Sequence, residues 1–328
     1  ISMTKIIKII KKILNFIGIK QPYLLYKFNK EWPFFWVDEK LTLKFAKTFL
    51  DYLNNEKYIN WLKKNLDKES LKVINKTLVN INLCLTCDII KENKLFSNED
   101  YSDRFKCTKI NGIVKNMHIK LPVKHFETSV FFYNQWINSI NNLNSFVEKK
   151  DILDCWGYIW DSSLLFSKKL KPNKIYCFEP WNYNHKLLLN TIKKNNLDWK
   201  IIPIKYWVSN KEGELYVNNE WEVSTVVNKK DKWVEKINIT TIDKYVFENN
   251  LNPWLIKRDI EWMELESVKW AEKTIKKFKP KLIIAVYHTW KDFFEIKPLI
   301  ESWNLWYKFK LKHMNPFHPR FETFLICY

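Results

Sequence analysis

Asp151-Ile152-Leu153-Asp154-Cys155-Trp156-Gly157-Tyr158-Ile159-Trp160-Asp161 divides the chain into two textures. It opens on an apolar run, passes through a turn and enters a helix at Asp161. Before it, residues 1–148 have helical apolar spacing over 40–53, 58–66 and 69–81, with little β alternation. An aromatic run, Phe131 to Trp136, precedes another polar helix expected over 137–148. After Lys149, short apolar runs alternate with amphipathic segments, the pattern of a parallel α/β sheet. Strands are expected at 151–155, 174–179, 200–208, 255–260, 281–287, 307–312 and 322–328, the last pair antiparallel. Helices are expected at 161–170, 182–196, 241–249, 264–278 and 291–302, with a hairpin around Gly213. This predicts a doubly wound, Rossmann-like, seven-stranded α/β domain over 149–328. Residues 1–148 form a mainly helical N-terminal extension.

The composition is that of a folded chain: 46% of the 328 residues are hydrophobic and 28% charged, which excludes global disorder. The net charge of +19 raises nucleic acid or an anionic membrane as partners. The lysines, however, are scattered in a chain rich in Lys, Asn and Ile, which argues for composition rather than a binding patch. Six cysteines in a chain this long are no disulfide framework. Cys84-Leu85-Thr86-Cys87 lacks the second half of a structural zinc motif, so no metal is expected there. No apolar run approaches the ~18 residues of a membrane span, and a cytoplasmic location is expected. Residues 4–17 form a basic amphipathic helix suited to peripheral membrane contact or to docking on its own domain.

Three strand ends carry chemistry. The turn after the first strand must bring backbone close to a ligand, which is why such turns are glycine-rich. The second strand ends in Phe178-Glu179-Pro180, and an acidic residue about 20 positions on suits the hydroxyls of a ribose. The fourth ends in Lys257-Arg258-Asp259-Ile260-Glu261-Trp262-Met263-Glu264, three carboxylates at the edge where open α/β sheets bind ligands.

In order, these motifs resemble the FkbM family of S-adenosylmethionine-dependent methyltransferases. That family's pattern is D-[VC]-G-x-x-x-G-D, then F-E-P, then I-K-x-D-I-E-G-x-E and K-G-A. Lys269-Trp270-Ala271, Ala285-Val286-Tyr287-His288 and the closing Leu311-Lys312-His313 with Glu322-Thr323 extend it. The resemblance implies a class I methyltransferase fold, S-adenosylmethionine as cofactor and no metal. It implies O-methylation of a hydroxyl on a small molecule, sugar or glycan, with the helical extension covering the acceptor side. Asp154, Trp156, Gly157, Trp160 and Asp161 would line the cofactor turn, and Glu179 with Pro180 would hold the ribose. Asp259, Glu261 and His288 are the catalytic candidates; a carboxylate or imidazole there can take the acceptor's proton. His313, His318 and Arg320 are further acceptor-side candidates, and 206–209 would flank the adenine. Asp259 and Glu261 also suit capping of the next helix.

Every departure from the pattern puts tryptophan where glycine belongs. Glycine numbers 4 and tryptophan 17, against roughly 23 glycines at average usage. Trp156, Trp160, Trp262 and Trp270 fall in motifs; Trp199, Trp254 and Trp306 fall where turns are expected. Some bacterial codes read UGA as glycine and another table reads it as tryptophan, so translation under the wrong table produces this pattern. Taken literally, indoles at 156 and 160 would fill the cofactor's place and leave a catalytically dead binding module. Base stacking by the tryptophans does not explain their turn positions. A nucleic-acid base methyltransferase would need an Asn/Asp-Pro-Pro-aromatic motif, which Asn315-Pro316-Phe317 does not complete. A glycosyltransferase using Asp259 and Glu261 as a metal site leaves Glu179 unexplained.

Overall fold

The computed structural model describes residues 48–86, 95–122, 126–139, 147, 149–156, 161–218, 234–261, 263–318 and 320–328. Seven strands form one sheet: β1 (Asp151–Cys155), β2 (Ile175–Phe178), β3 (Ile201–Ile204), β7 (Pro253–Arg258), β8 (Lys281–Ala285), β9 (Phe309–His313) and β10 (Thr323–Cys327). Their order across the sheet is β3-β2-β1-β7-β8-β10-β9. β1 pairs in parallel with β2 and β7, and the parallel pairs β2–β3 and β7–β8 extend the sheet on either side. Only β10 reverses, antiparallel to β8 and to β9.

The sequence dictates this arrangement locally. Parallel strands are covered on both faces and therefore read as near-continuous apolar runs; Leu282, Ile283 and Ile284 of β8 are such a run, all fully buried. Pro253 is tolerated inside the sheet because it opens β7, where a missing N–H costs least. The chain leaves β1 through the Asp161–Lys169 helix toward β2, and later returns to β1's other side as β7. The order reverses between β1 and β7, and the crevice outside the carboxyl ends of such strands is where these sheets bind ligands.

Apolar residues cover both faces of the sheet. On one side Leu153, Ile256, Ile284 and Leu325 meet Trp290, Phe294, Ile59, Leu62 and Ile74. On the other, Ile152, Leu255, Ile283 and Phe324 meet Leu164, Leu165, Val130 and Phe131. The N-terminal region thus shares its core with the sheet. Its Lys68–Thr86 helix runs beside edge strand β9, and Ser70 Oγ accepts a bond from the Leu311 amide at 2.9 Å. Covering an edge in this way blocks pairing with foreign strands.

Three expected elements differ. The 200–208 strand divides: β3 stays in the main sheet, while β4 (Trp207–Val208) pairs with β6 (Val234–Thr240). β6 also pairs with β5 (Gly213–Asn218), completing a small three-stranded sheet. Gly213 opens β5 at φ +127°, a conformation side chains rarely adopt. The 264–278 helix is two, Glu264–Lys269 and Glu272–Phe278. A tertiary cap restarts it: the Asp243 carboxylate accepts from the amides of Lys273 (3.1 Å) and Thr274 (2.7 Å). Of 137–148, residues 137–139 belong to a 3-10 segment, Asn134–Ser139; 140–146 and 148 lie outside the described residues, as do 4–17.

Phe324 sits in β10 and is fully buried. Phe324→Ala should destabilise the protein by about 3–5 kcal/mol, read as a lower urea midpoint with unchanged slope. A loss under about 1 kcal/mol would mean that β10 is not core.

Candidate functional site

Asp154, near the end of β1, is fully buried. Its Oδ2 accepts from Ser162 Oγ (2.7 Å) and Ser163 Oγ (2.6 Å) in the first turn of the next helix. Its Oδ1 lies 3.7 Å from Lys257 Nζ, which also lies 3.8 Å from Asp259 Oδ2 and donates to the Trp156 carbonyl at 2.9 Å. Burial opposes the Lys257 charge, but Asp154 and Asp259 outweigh it and hold the ammonium above its ordinary range. Asp154 therefore ties β1, β7 and the intervening helix together. Asp161 is buried, with Oδ1 accepting the Ser162 amide at 2.8 Å. Burial, then the Glu127 charge, pushes its carboxyl up to about 7.

Trp156 follows Cys155 with φ +74°, a left-handed conformation costing a non-glycine roughly 1–2 kcal/mol. Its ring lies 5.7 Å from Trp207 and 6.5 Å from Trp181, so three indoles close on one another beyond the ends of β1 and β2. Trp306 is also left-handed, at φ +66°, and 92% exposed. The other tryptophans divide. Trp254 lies inside β7 and is buried, not in a turn, because the strand starts earlier than expected. Trp270 caps a helix at φ −87°, where glycine is not required. Trp136, which no motif singles out, is left-handed at φ +56°. Gly157, Trp160 and Trp262 lie outside the described residues.

Glu179 is fully buried after β2. Its carboxylate accepts the Trp181 amide through Oε1 at 3.0 Å and has the Asn184 side chain beside it, while Oε2 makes no direct hydrogen bond among the described residues. Burial pushes its carboxyl well above the ordinary range. Pro180 beside it is buried too.

The ends of β7 and β8 bring the catalytic candidates together. Glu264 Oε1 accepts from the Ile260 amide at 3.0 Å and lies 2.7 Å from His288 Nδ1. His288 Nε2 is 3.8 Å from Asp259 Oδ1. Tyr287 Oη stands 3.0 Å from both Asp259 Oδ1 and Glu322 Oε1. Burial, then Asp259, raises Glu322 to about 8. The Tyr287 hydroxyl thus lies between the two carboxylates, within donating distance of each. Glu261, at φ +52°, is exposed just beyond this group. Asp259, Glu264 and His288 put ligand-type atoms within 4.8 Å of one another. Within that group His288 Nδ1 and Glu264 Oε1 are in direct contact, with Asp259 beside them.

The C-terminal candidates bond to one another and to nearby backbone. His313 Nε2 meets the His318 carbonyl at 2.7 Å, and His318 Nδ1 accepts from the amides of Arg320 and Phe321. Burial pushes His313 down to about 4. Arg320 is buried and donates to the Tyr287 carbonyl. Lys257, Glu264 and Tyr287 lay inside quoted motifs but gained roles only from the fold. Glu127, which faces Asp161, and Ser129, which hydrogen-bonds Glu322, carried no sequence signal.

A methyltransferase FkbM from Methylobacillus flagellatus KT has a similar solved structure, at 21% identity and TM-score 0.57. The match covers 85% of this chain and 60% of that one, so this chain spans less than two thirds of the neighbour's length. The fold is that of a class I methyltransferase. Two looser likenesses, too distant to carry an argument, are the METTL16 MTase domain and M. jannaschii TYW2 in complex with AdoMet. The first has 12% identity and TM-score 0.41, covering 69% of this chain and 77% of that one. The second has 14% identity and TM-score 0.33, covering 63% and 76%. No family model and no curated protein matches the sequence.

Replacing the buried cation isolates its contribution. Lys257→Met leaves Asp154 and Asp259 without their shared partner, and breaking a buried pair from one side costs about 3–5 kcal/mol. Chemical unfolding at neutral pH should read that loss; a change under about 1 kcal/mol would mean the carboxylates are held otherwise.

Proposed function

We propose that this chain is an S-adenosylmethionine-dependent methyltransferase acting on a hydroxyl of a small molecule, sugar or glycan. The observation that carries the reading is Glu179: a fully buried carboxylate at the end of β2 with one oxygen unpartnered among the described residues. Buried polar atoms are nearly always paired, and an exception asks for a ligand. Two ribose hydroxyls are donors of the right kind. When bound, the cofactor supplies a methyl group already activated as a sulfonium, so the protein's task is alignment.

The residues fit the cofactor in their charges and not in their bulk. Trp156, Trp181 and Trp207 close the crevice that the methionine and ribose portions need. Glycine at 156 would relieve both the left-handed backbone and the obstruction. We therefore read positions 156, 160 and 262 as glycine in the active protein, the outcome of UGA decoded under another table. Asp259 and Glu261 follow β7 at the expected acceptor side, a poor surface for a phosphate backbone although the chain as a whole is basic. A second reading follows from the same indoles taken literally: with the crevice filled, the chain is a non-catalytic binding module.

Isothermal titration separates the two. Trp156→Gly/Trp160→Gly/Trp262→Gly should bind S-adenosylmethionine about tenfold or more tighter than the unchanged chain, over ~1.4 kcal/mol. In that background Glu179→Ala should weaken binding about tenfold or more, the value of one to two buried hydrogen bonds. No heat in the first, or unchanged affinity in the second, refutes the enzyme reading. Mass spectrometry of native peptide 151–168 gives an independent check: glycine at 156 and 160 supports the enzyme, tryptophan at both supports the binding module.

A further inference from the structure

Glu264 is fully buried, and its two carboxylate oxygens differ in what they meet. Oε1 accepts the Ile260 amide at 3.0 Å and lies 2.7 Å from His288 Nδ1. Oε2 is buried as well and makes no direct hydrogen bond among the described residues. A carboxylate oxygen taken out of water without a donor is costly, and such an exception asks for a ligand. The Ile260 amide holds the carboxylate in place, so relief has to come to it. An imidazole and a second carboxylate stand beside it.

One ligand-type atom from each of Asp259, Glu264 and His288 lies within 4.8 Å of the other two. Atoms bound at about 2.0–2.2 Å to one ion stand at most about 4.4 Å apart, so a small inward movement closes the set. His288 Nε2 and Asp259 Oδ1 are already 3.8 Å apart. Access is graded in the right sense: the side chains are 19% exposed at Asp259, 11% at His288 and 0% at Glu264. The group therefore opens to solvent beside Asp259 and is floored by Glu264. The local charge also favours a cation. Glu261, Asp292 and Glu322 act electrostatically on members of the group or feel them. Among the described residues the opposing charges are Lys257, which is shared with Asp154, and Arg258.

We propose that Asp259, Glu264 and His288 form a binding site for one first-row divalent transition cation of the Mn²⁺ kind, with the unpaired Oε2 of Glu264 among its ligands. One imidazole with two carboxylates is a mixed set: the nitrogen favours a transition ion over Mg²⁺ or Ca²⁺, and the oxygens suit Mn²⁺. Three protein ligands leave positions open for water or for an oxygen of a bound molecule. The site goes beyond the family resemblance, which implies no metal. It uses none of positions 156, 160 and 262, so it stands or falls independently of the methyltransferase reading.

The test uses the unchanged full chain, stripped with a chelator and dialysed, then titrated with Mn²⁺ while the electron paramagnetic resonance signal of the free ion is followed. Mn²⁺ is the probe because thiolates prefer softer metals, which keeps the cysteines out of the measurement. One ion per chain should bind with a Kd of about 100 μM or tighter, and a tenfold excess of Mg²⁺ should not displace it. Asp259→Asn, Glu264→Gln and His288→Gln should each weaken binding about tenfold or more. Glu248→Gln, which removes an exposed carboxylate at a distant helix end, should leave it unchanged. In histidine-selective NMR, the signal that His288→Gln removes should broaden with substoichiometric Mn²⁺. If Glu264→Gln fails to fold, the more exposed Asp259→Asn and the NMR broadening decide. No ion bound at about 1 mM Mn²⁺, an affinity that the three substitutions leave in place, or a His288 signal that stays sharp while the ion binds each overturns the proposal.

Discussion

Lys257 brings a positive charge to the place where β1 and β7 diverge. Carboxylates from both strand ends, Asp154 and Asp259, lie 3.7 and 3.8 Å from its ammonium group, and the group donates to the backbone at Trp156. An unpaired charge at this depth would cost several kcal/mol, so the ammonium and the two acids hold one another in place. Asp154 then passes the constraint to Ser162 and Ser163, which set the start of the next helix. The start of that helix and Asp259 after β7 are both tied to this junction.

Around it the molecule separates two kinds of polar group. One set is satisfied within the fold: the Lys257 ammonium and the Asp243 cap. The other set has atoms left over or protons held at unusual affinity, including Glu179 Oε2, Asp161, Glu322 and the His288–Glu264 pair. The proposed function rests on this left-over polar capacity at the carboxyl edge of a parallel sheet, where a purely structural carboxylate is expected to have a partner or a less buried position. The indoles of Trp156, Trp181 and Trp207 lie at the same edge, which is why the identity of residue 156 bears on function more than any catalytic candidate.

Much of this was legible in one dimension. Apolar runs of four to six residues between amphipathic helices led to the seven strands and the reversed final pair, because a buried parallel strand cannot alternate. Phe178-Glu179-Pro180 and the carboxylates after Lys257 were legible because strand ends in such sheets face the ligand crevice. What misled was local: Pro253-Trp254 read as a turn and became strand, and the 264–278 helix read as continuous because nothing within it announces a cap supplied by Asp243, some thirty residues earlier.

The sequence by itself determined the fold class, the order of motifs and the anomaly of tryptophan at glycine positions, all of which depend on spacing along the chain. Tertiary structure decided which of the anomalous positions need glycine: left-handed backbone occurs at Trp156 and Trp306 and not at Trp254 or Trp270. It also decided which histidine meets a carboxylate. His288 and Glu264 are 24 residues apart in sequence and 2.7 Å apart in space, while His313 and His318 bond within their own hairpin. Spacing predicts which side chains share a face of one element; which side chains from different elements touch depends on how those elements pack, and periodicity carries no record of that.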